Sequence, residues 1–396
     1  MTNHLSRVFA MVLLLLGTSL ASAAQPTKEW NFLVFLNGVN NLDSFGAMNI
    51  NQMEQVGSSD KVNLLVQWGS FKNKNVSRLY IKKDNDPKKV TSPVVQNLGS
   101  VDMGDWKELV RFVEWANQNY PAKRYFIVVW DHGGGWHLTS VNNGVIKPMD
   151  ISWDDRTGNN ITTEQLGQAM AESAKIIGHK VDIYSSDACL MGMIEVASEM
   201  ANSVQYYLGS QDVEPGEGWP YAAFLKKWLA KSETSTADVV KIFSKDYLAA
   251  YSGGIYGRNS VTMSGYDLSK IAPYEEAIQQ LGKELNNLNN SDTKKAVAAA
   301  SDSKFFTYSD YRDVIDFLNK MEQNGVQTPA FAKVREAHNN FVIANEQNQD
   351  KQTFGVSIWL TANDNSDYTS FIERYRGLKF NQSTDWAQFN SKIQGF

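Results

Sequence analysis

From Trp30 onward the chain alternates short, unbroken apolar runs with longer stretches in which apolar side chains recur every three or four positions. The short runs are Trp30–Leu36, Val62–Trp68, Tyr125–Trp130, Val181–Ser185 and Tyr206–Ser210, rich in β-branched and aromatic residues. A strand that is apolar at nearly every position is one covered on both faces. Between these runs, Asp105–Asn119, Thr162–Ile177 and Leu190–Ala201 carry a helical period. Such alternation implies right-handed crossovers and an α/β fold, a mostly parallel sheet between two helical layers. Val76–Lys82 reads as an extra strand in a hairpin beside that sheet.

Beyond about Tyr221 the pattern changes. Thr236–Tyr251, Tyr274–Asn287 and Thr328–Gln347 are long helical stretches, with strands at Ser260–Tyr266 and Gly355–Leu360. These predict the sheet's far edge and a mostly helical C-terminal lobe, with the polar stretch Asn286–Lys294 as a connecting loop. The expected division is an α/β domain over 25–268 and a mostly helical region over 269–396 with a strand near 355–360.

The first residues follow another logic. Arg7, the apolar run Val8–Leu16 and Ala21-Ser22-Ala23 form a secretory signal over 1–24, too short for a membrane anchor. The expected destination is the periplasm or the medium. Across 396 residues, 42% hydrophobic and 20% charged suits a soluble protein with a large core. A net charge of -5 without a basic block gives no reason to expect nucleic acid as a partner. Export makes the single cysteine, Cys189, informative, because it rules out a disulfide framework and leaves one thiol to explain.

Open α/β sheets gather ligands at the carboxyl ends of their strands. His132, in "FIVVWDHGGGW", and Cys189, in "SSDACLMGMIEV", each follow the end of an expected strand. Two parallel neighbours would bring them to one edge. With Cys189 in the first turn of the Leu190–Ala201 helix, unpaired N–H groups and the helix dipole favour a thiolate. A histidine opposite can take and return the proton. The backbone N–H groups of Gly133 and Cys189 are suited to an oxyanion, and the glycines leave room for a substrate carbonyl. The other histidines fit less well. His137 lies beyond Trp136, His179 precedes a strand at its amino end, and His338 sits in a helical pattern expected at the surface.

At this point the residues resemble the clostripain-like cysteine peptidases, relatives of caspases, gingipains and legumains. The stretches "LNGVNNLD", "WDHGGGW", "DACLMGMIEVASEM", "GSQDVEPGEGWPY" and "GVSIWL" carry that resemblance from Trp30 to Leu360. It implies a caspase-like three-layer sandwich and a His132–Cys189 dyad that cleaves peptides after Arg or Lys. Asp187, two residues before Cys189, would pair with the basic side chain. Asp187 could equally cap the following helix. Asp212 and Glu214 would be secondary acids and Trp219 a pocket wall. Val39 stands where the family often has an acid before Asn40-Asn41, so no role is assigned to that loop. The expected partners are peptides or proteins, acted on by a monomer that needs no cofactor. Calcium is linked to some relatives, with Asp154 and Asp155 as available ligands, but adjacent loop acids are ordinarily just solvated. Linker self-cleavage is blocked after Lys147 by Pro148, leaving Arg156 as the candidate. The rival function is a non-catalytic binding protein on a peptidase scaffold.

Overall fold

The computed structural model describes residues 26–137, 139–142, 145–231, 233–349, 352–361 and 365–395. The signal read over 1–24 lies outside them. Nine strands form the central sheet: β1 Lys28–Gly38, β2 Val62–Ser70, β3 Asn75–Tyr80, β4 Val94–Gly99, β5 Ala122–Trp130, β6 Val181–Asp187, β7 Val204–Gly209, β8 Thr262–Asp267 and β9 Val342–Gln347. Their order is β9-β8-β7-β6-β5-β1-β2-β3-β4. The five strands from β7 to β2 are parallel, and two antiparallel strands extend each edge.

Successive side chains of β1 enter opposite cores. Leu33 and Phe35 join one apolar cluster, whereas Phe32 and Val34 join the other. The first cluster is closed by α2 (Trp106–Asn119), α3 (Thr163–Ile177) and α4 (Ile194–Met200). The second is closed by α1 (Asp43–Glu54), α5 (Tyr221–Leu229) and α6 (Thr236–Tyr251). The result is the three-layer α/β arrangement that the apolar runs predict, in agreement with the caspase-like sandwich that the resemblance implies. The C-terminal helices extend the first cluster: Leu281, Trp386 and Phe389 belong to the same buried set as Leu109 and Met170.

Four local expectations change. Strand β4 escapes the apolar pattern because it is an edge strand, almost wholly exposed. The stretch read as one helix over Thr328–Gln347 splits into a helix over Ala330–Phe341 and β9, which pairs with β8. The run Gly355–Leu360 supplies Ser357–Trp359, which pairs with Tyr311–Asp313 in a small side sheet. Asn286–Lys294 is mostly helix boundary: Ile271–Asn286 ends there, and the Asn289 side chain accepts from the Asp292 N–H at 2.9 Å to start Asn290–Asp302.

Candidate active site

Trp130 of β5 lies opposite Asp187 of β6 in parallel register. Two residues further along each chain stand His132 and Cys189. The common offset brings both to the carboxyl edge, where they line one cleft of about 350 Å³ with Asp187, Glu214 and Gly218.

The imidazole is held on several sides. His132 Nε2 lies 2.6 Å from Asn41 Oδ1, and the Trp153 indole stacks on the ring at 4.8 Å between centroids, 25° from parallel. The His132 main-chain N–H donates to Asp131 Oδ1 at 2.7 Å. Burial pushes the ring's pKa down, and the Asp155 charge opposes this.

Cys189 is not on a helix, so the expected dipole effect does not apply. The helix starts only at Ile194, because residues 190–193 spend their backbone groups elsewhere. The Leu190 N–H donates to the Asp212 carbonyl at 3.1 Å and the Gly192 N–H to the Ser210 carbonyl at 2.6 Å. Leu190 takes a left-handed φ of 62° to make the turn. The Cys189 sulfur accepts from the Glu214 N–H at 3.2 Å. Burial pushes the thiol up to about 11, opposed by the Glu214 main-chain bond. Burial thus works toward the neutral thiol and the neutral imidazole, and the helix terminus expected to favour a thiolate is not at Cys189.

At Gly133 and Gly135 the place of the missing side chain is filled by neighbouring atoms. A Cβ on Gly133 would stand 2.4 Å from the Cys189 carbonyl oxygen and 3.0 Å from Ala188 Cβ. Gly135, at φ 67°, meets Met193 Sδ and the Tyr311 ring in the same way. The glycines are a close seam between the histidine loop and the cysteine turn.

Asp187 forms the cleft's inner wall, where Tyr221 donates its hydroxyl to Oδ2 at 2.6 Å. It does not cap a helix. Burial raises its carboxyl, and the Tyr221 bond only partly offsets this. Glu214 brings a second carboxyl to the same place. Burial and then the Asp187 charge hold it well above the ordinary value. The Glu214 carboxylate oxygens, Trp219 Nε1 and Tyr247 Oη are buried together, and the Glu214 carboxyl lies against Asp187, Trp219 and Tyr247. Two buried acids thus share one pocket with hydroxyl contacts and no cation.

The remaining sites separate. Asp212 turns away from the cleft and accepts from Gln349 Nε2 at 2.9 Å. Trp219 is buried among Tyr221, Phe224 and Phe243, behind the acids rather than on the cleft surface. His137 is buried 2.8 Å from Asp310 Oδ2, and His179 is exposed at the amino edge. His338, expected at the surface, is buried between Tyr274 Oη at 3.0 Å and the Phe354 carbonyl at 2.8 Å.

Asp154 accepts from the N–H groups of Met103, Arg156 and Thr157, each at 3.0 Å, so its oxygens are committed to the chain rather than free for a cation. Among the described residues no group of three or more His, Cys, Asp or Glu is arranged to hold a metal. The Arg156 guanidinium donates to the Val101 carbonyl at 2.7 Å, and Lys147 lies in the hairpin strand Val145–Pro148. Sequence reasoning missed Asn41 and Trp153, whose only signal was the paired asparagines after β1.

Residues 34–392 match the model of the clostripain family. Clostripain of Hathewaya histolytica is 26% identical over 264 residues, 56% of this chain, and the match spans only 49% of that relative's length. A secreted C11 cysteine protease of Bacteroides thetaiotaomicron, solved with an irreversible peptide inhibitor, superposes with a TM-score of 0.70 at 21% identity. That match covers 91% of this chain and 99% of the other. An inactive zymogen C11 protease from Parabacteroides distasonis gives 0.69 at 17% identity over 91% of this chain and 99% of its own. At these identities the two structures speak for the fold. The family match, spanning most of the sequence, shows that this chain belongs to the clostripain family of cysteine peptidases.

Proposed function

We propose that the chain is an exported cysteine endopeptidase that cleaves after Arg or Lys. The observation that carries this reading is the pair of buried carboxyls, Asp187 and Glu214, in the cleft that also exposes Cys189 and His132. A desolvated acid pair lacking a cation favours a guanidinium or ammonium and repels acidic side chains.

With the basic side chain in that pocket, the carbonyl of the same residue meets Cys189 Sγ. Because burial favours the neutral thiol, His132 takes its proton as the sulfur attacks. The carbonyl π pair moves onto oxygen, where the N–H groups of Gly133 and Cys189 donate. As the C–N bond breaks, His132 returns the proton to the leaving amine, leaving a thioester on Cys189. Water then gives a proton to His132, attacks the thioester and releases the acid as the thiol is re-formed. No step requires a cofactor.

A fluorogenic panel varied only at the residue before the bond, with Arg, Lys, Asp, Asn and Ala, tests the proposal. Wild type should hydrolyse the Arg and Lys substrates, and Cys189→Ala and His132→Ala should not. Hydrolysis surviving in Cys189→Ala refutes the nucleophile, and tight binding without turnover in wild type supports the non-catalytic rival. Sequencing the N-terminus of the exported protein tests the signal, with a mature end next to Ala23 or Ala24 expected.

A further inference from the structure

We propose that Asn41 and Trp153 are positioning residues that fix the tautomer and the ring plane of His132. The inference rests on His132 being the base of the proposed reaction. Asn41 Oδ1 is only an acceptor, so the 2.6 Å contact requires Nε2 to carry the proton in the neutral ring. Nδ1 is then the one lone pair available to receive the cysteine proton.

Trp153 fixes the remaining freedom, rotation of the ring about its bond to the chain. Its indole covers one face of the imidazole and is itself pinned, because Nε1 donates to the Met149 carbonyl at 2.9 Å. An aromatic face also favours the imidazolium that forms during attack. The Asp155 charge, two residues along, acts in the same direction.

The two contacts come from different segments, the turn after β1 and the short strand Ile151–Asp154, and Asn40 ties them together. Its Nδ2 donates to Asp131 Oδ1 at 2.6 Å and to the Trp153 carbonyl at 2.9 Å, while its Oδ1 accepts from the Leu42 N–H at 2.9 Å. The Trp153 N–H donates in turn to Asp131 Oδ2. Asn41 is not needed to cap α1, whose N-cap is Leu42 with no side-chain cap bond. It is exposed and spends its carboxamide oxygen on the imidazole. The segment that joins His132 to Cys189 in sequence therefore shapes the histidine as well as connecting it.

The test compares Asn41→Ala, Asn41→Asp, Trp153→Leu and Trp153→Phe with wild type and His132→Ala, all as the full chain. Steady-state kinetics on an Arg substrate are measured across pH, with the ¹⁵N shifts of the His132 ring nitrogens. Misplacing a reacting group costs rate rather than affinity, so Asn41→Ala and Trp153→Leu should lower kcat by about ten- to a hundredfold while KM stays within about twofold. The ring nitrogens should show a Nε2–H form in wild type and a tautomer mixture in Asn41→Ala. Trp153→Phe keeps a stacking face and Asn41→Asp keeps an acceptor, so each should recover most of the lost kcat.

Unchanged kcat and tautomer in Asn41→Ala and Trp153→Leu, with His132→Ala inactive, overturn the cradle alone. A rise in KM without a fall in kcat makes the two residues binding walls and overturns it as well. Activity surviving in His132→Ala instead overturns the assignment on which the inference rests. If the severe variants fail to fold, a conservative pair that folds but does not retain kcat is equally fatal.

Discussion

Two acid pairs among the described residues make a contrast, Asp150 with Glu164 and Asp187 with Glu214, and the chain supplies a cation to one of them. Arg374 lies between Asp150 and Glu164, with Nη2 2.5 Å from Asp150 Oδ2 and 2.6 Å from Glu164 Oε2, and its guanidinium rests on Trp136. Asp187 and Glu214 have a tyrosine hydroxyl and no such partner. Buried Asp150 stays above its ordinary value, with the Arg374 charge opposing the rise, and the two glutamates part company. Burial acts to raise Glu164, but its Arg374 bonds bring it below the ordinary value. The Glu214 carboxyl is more deeply buried, meets the Asp187 charge in place of an arginine, and rises well above that value. The same molecule thus shows what an acid pair does with a guanidinium and what it does without one.

The largest effect should come from removing the built-in cation. Arg374→Ala leaves Asp150 buried and unpaired, which typically costs about 3–5 kcal/mol. A urea titration reads it directly, while the preference for the residue before the bond should not move. A loss below about 1 kcal/mol would mean that Asp150 is content without its partner, and the contrast would fail.

At the cleft the effect should appear in turnover. Asp187→Asn keeps shape and removes charge, at a cost of about 2–5 kcal/mol in kcat/KM for Arg and Lys substrates. A neutral substrate should change far less, and thiol alkylation by a small neutral reagent should stay near wild type. Equal loss on basic and neutral substrates would place the damage at Cys189 and His132.

Glu214→Gln should divide stability from activity. Replacing a buried acid that has no cation and sits beside another acid by a neutral amide should stabilise the fold by about 1 kcal/mol, yet weaken basic substrates. No gain in stability would show that the carboxyl has a cation partner in solution.

The smallest effect should be a pH dependence with a defined sign. Both pocket carboxyls have folded-state pKa values above their unfolded ones, so their contribution to stability is present at low pH and is lost as pH rises through the raised values. A basic side chain needs the charged forms, so KM for an Arg substrate should climb as pH falls through that range. KM for a neutral substrate should stay flat. Parallel curves would assign the titration to some other group.

Sheet and site were legible to different depths. Strands β1, β5 and β6 could be read because burial on both faces leaves no polar interruption, and a shared register then carries His132 and Cys189 to one edge. The start of α4 was not legible. Whether residues 190–193 bond within a helix or to Ser210 and Asp212 is decided by a neighbouring strand, which no local pattern reports. Asp212 and Glu214 looked equivalent in sequence, and an extended stretch would put residues two apart on one face, yet the loop turns between them and sends one to Gln349 and the other into the cleft. Asn41 could not be assigned, because its role is a contact across 91 residues with a ring that could have turned otherwise.

The seam at Gly133 also bears on how the sequence can vary. Any side chain at that position meets the Cys189 carbonyl oxygen, a main-chain atom that cannot rotate aside. Its removal from the path would require shifting the whole cysteine turn, which Leu190 already makes at a left-handed φ. A saturation library should therefore find position 133 closed even to alanine, whatever substrate is used for selection. The histidine loop and the cysteine turn are free to diverge only as one unit, so grafting either alone onto a relative should fail.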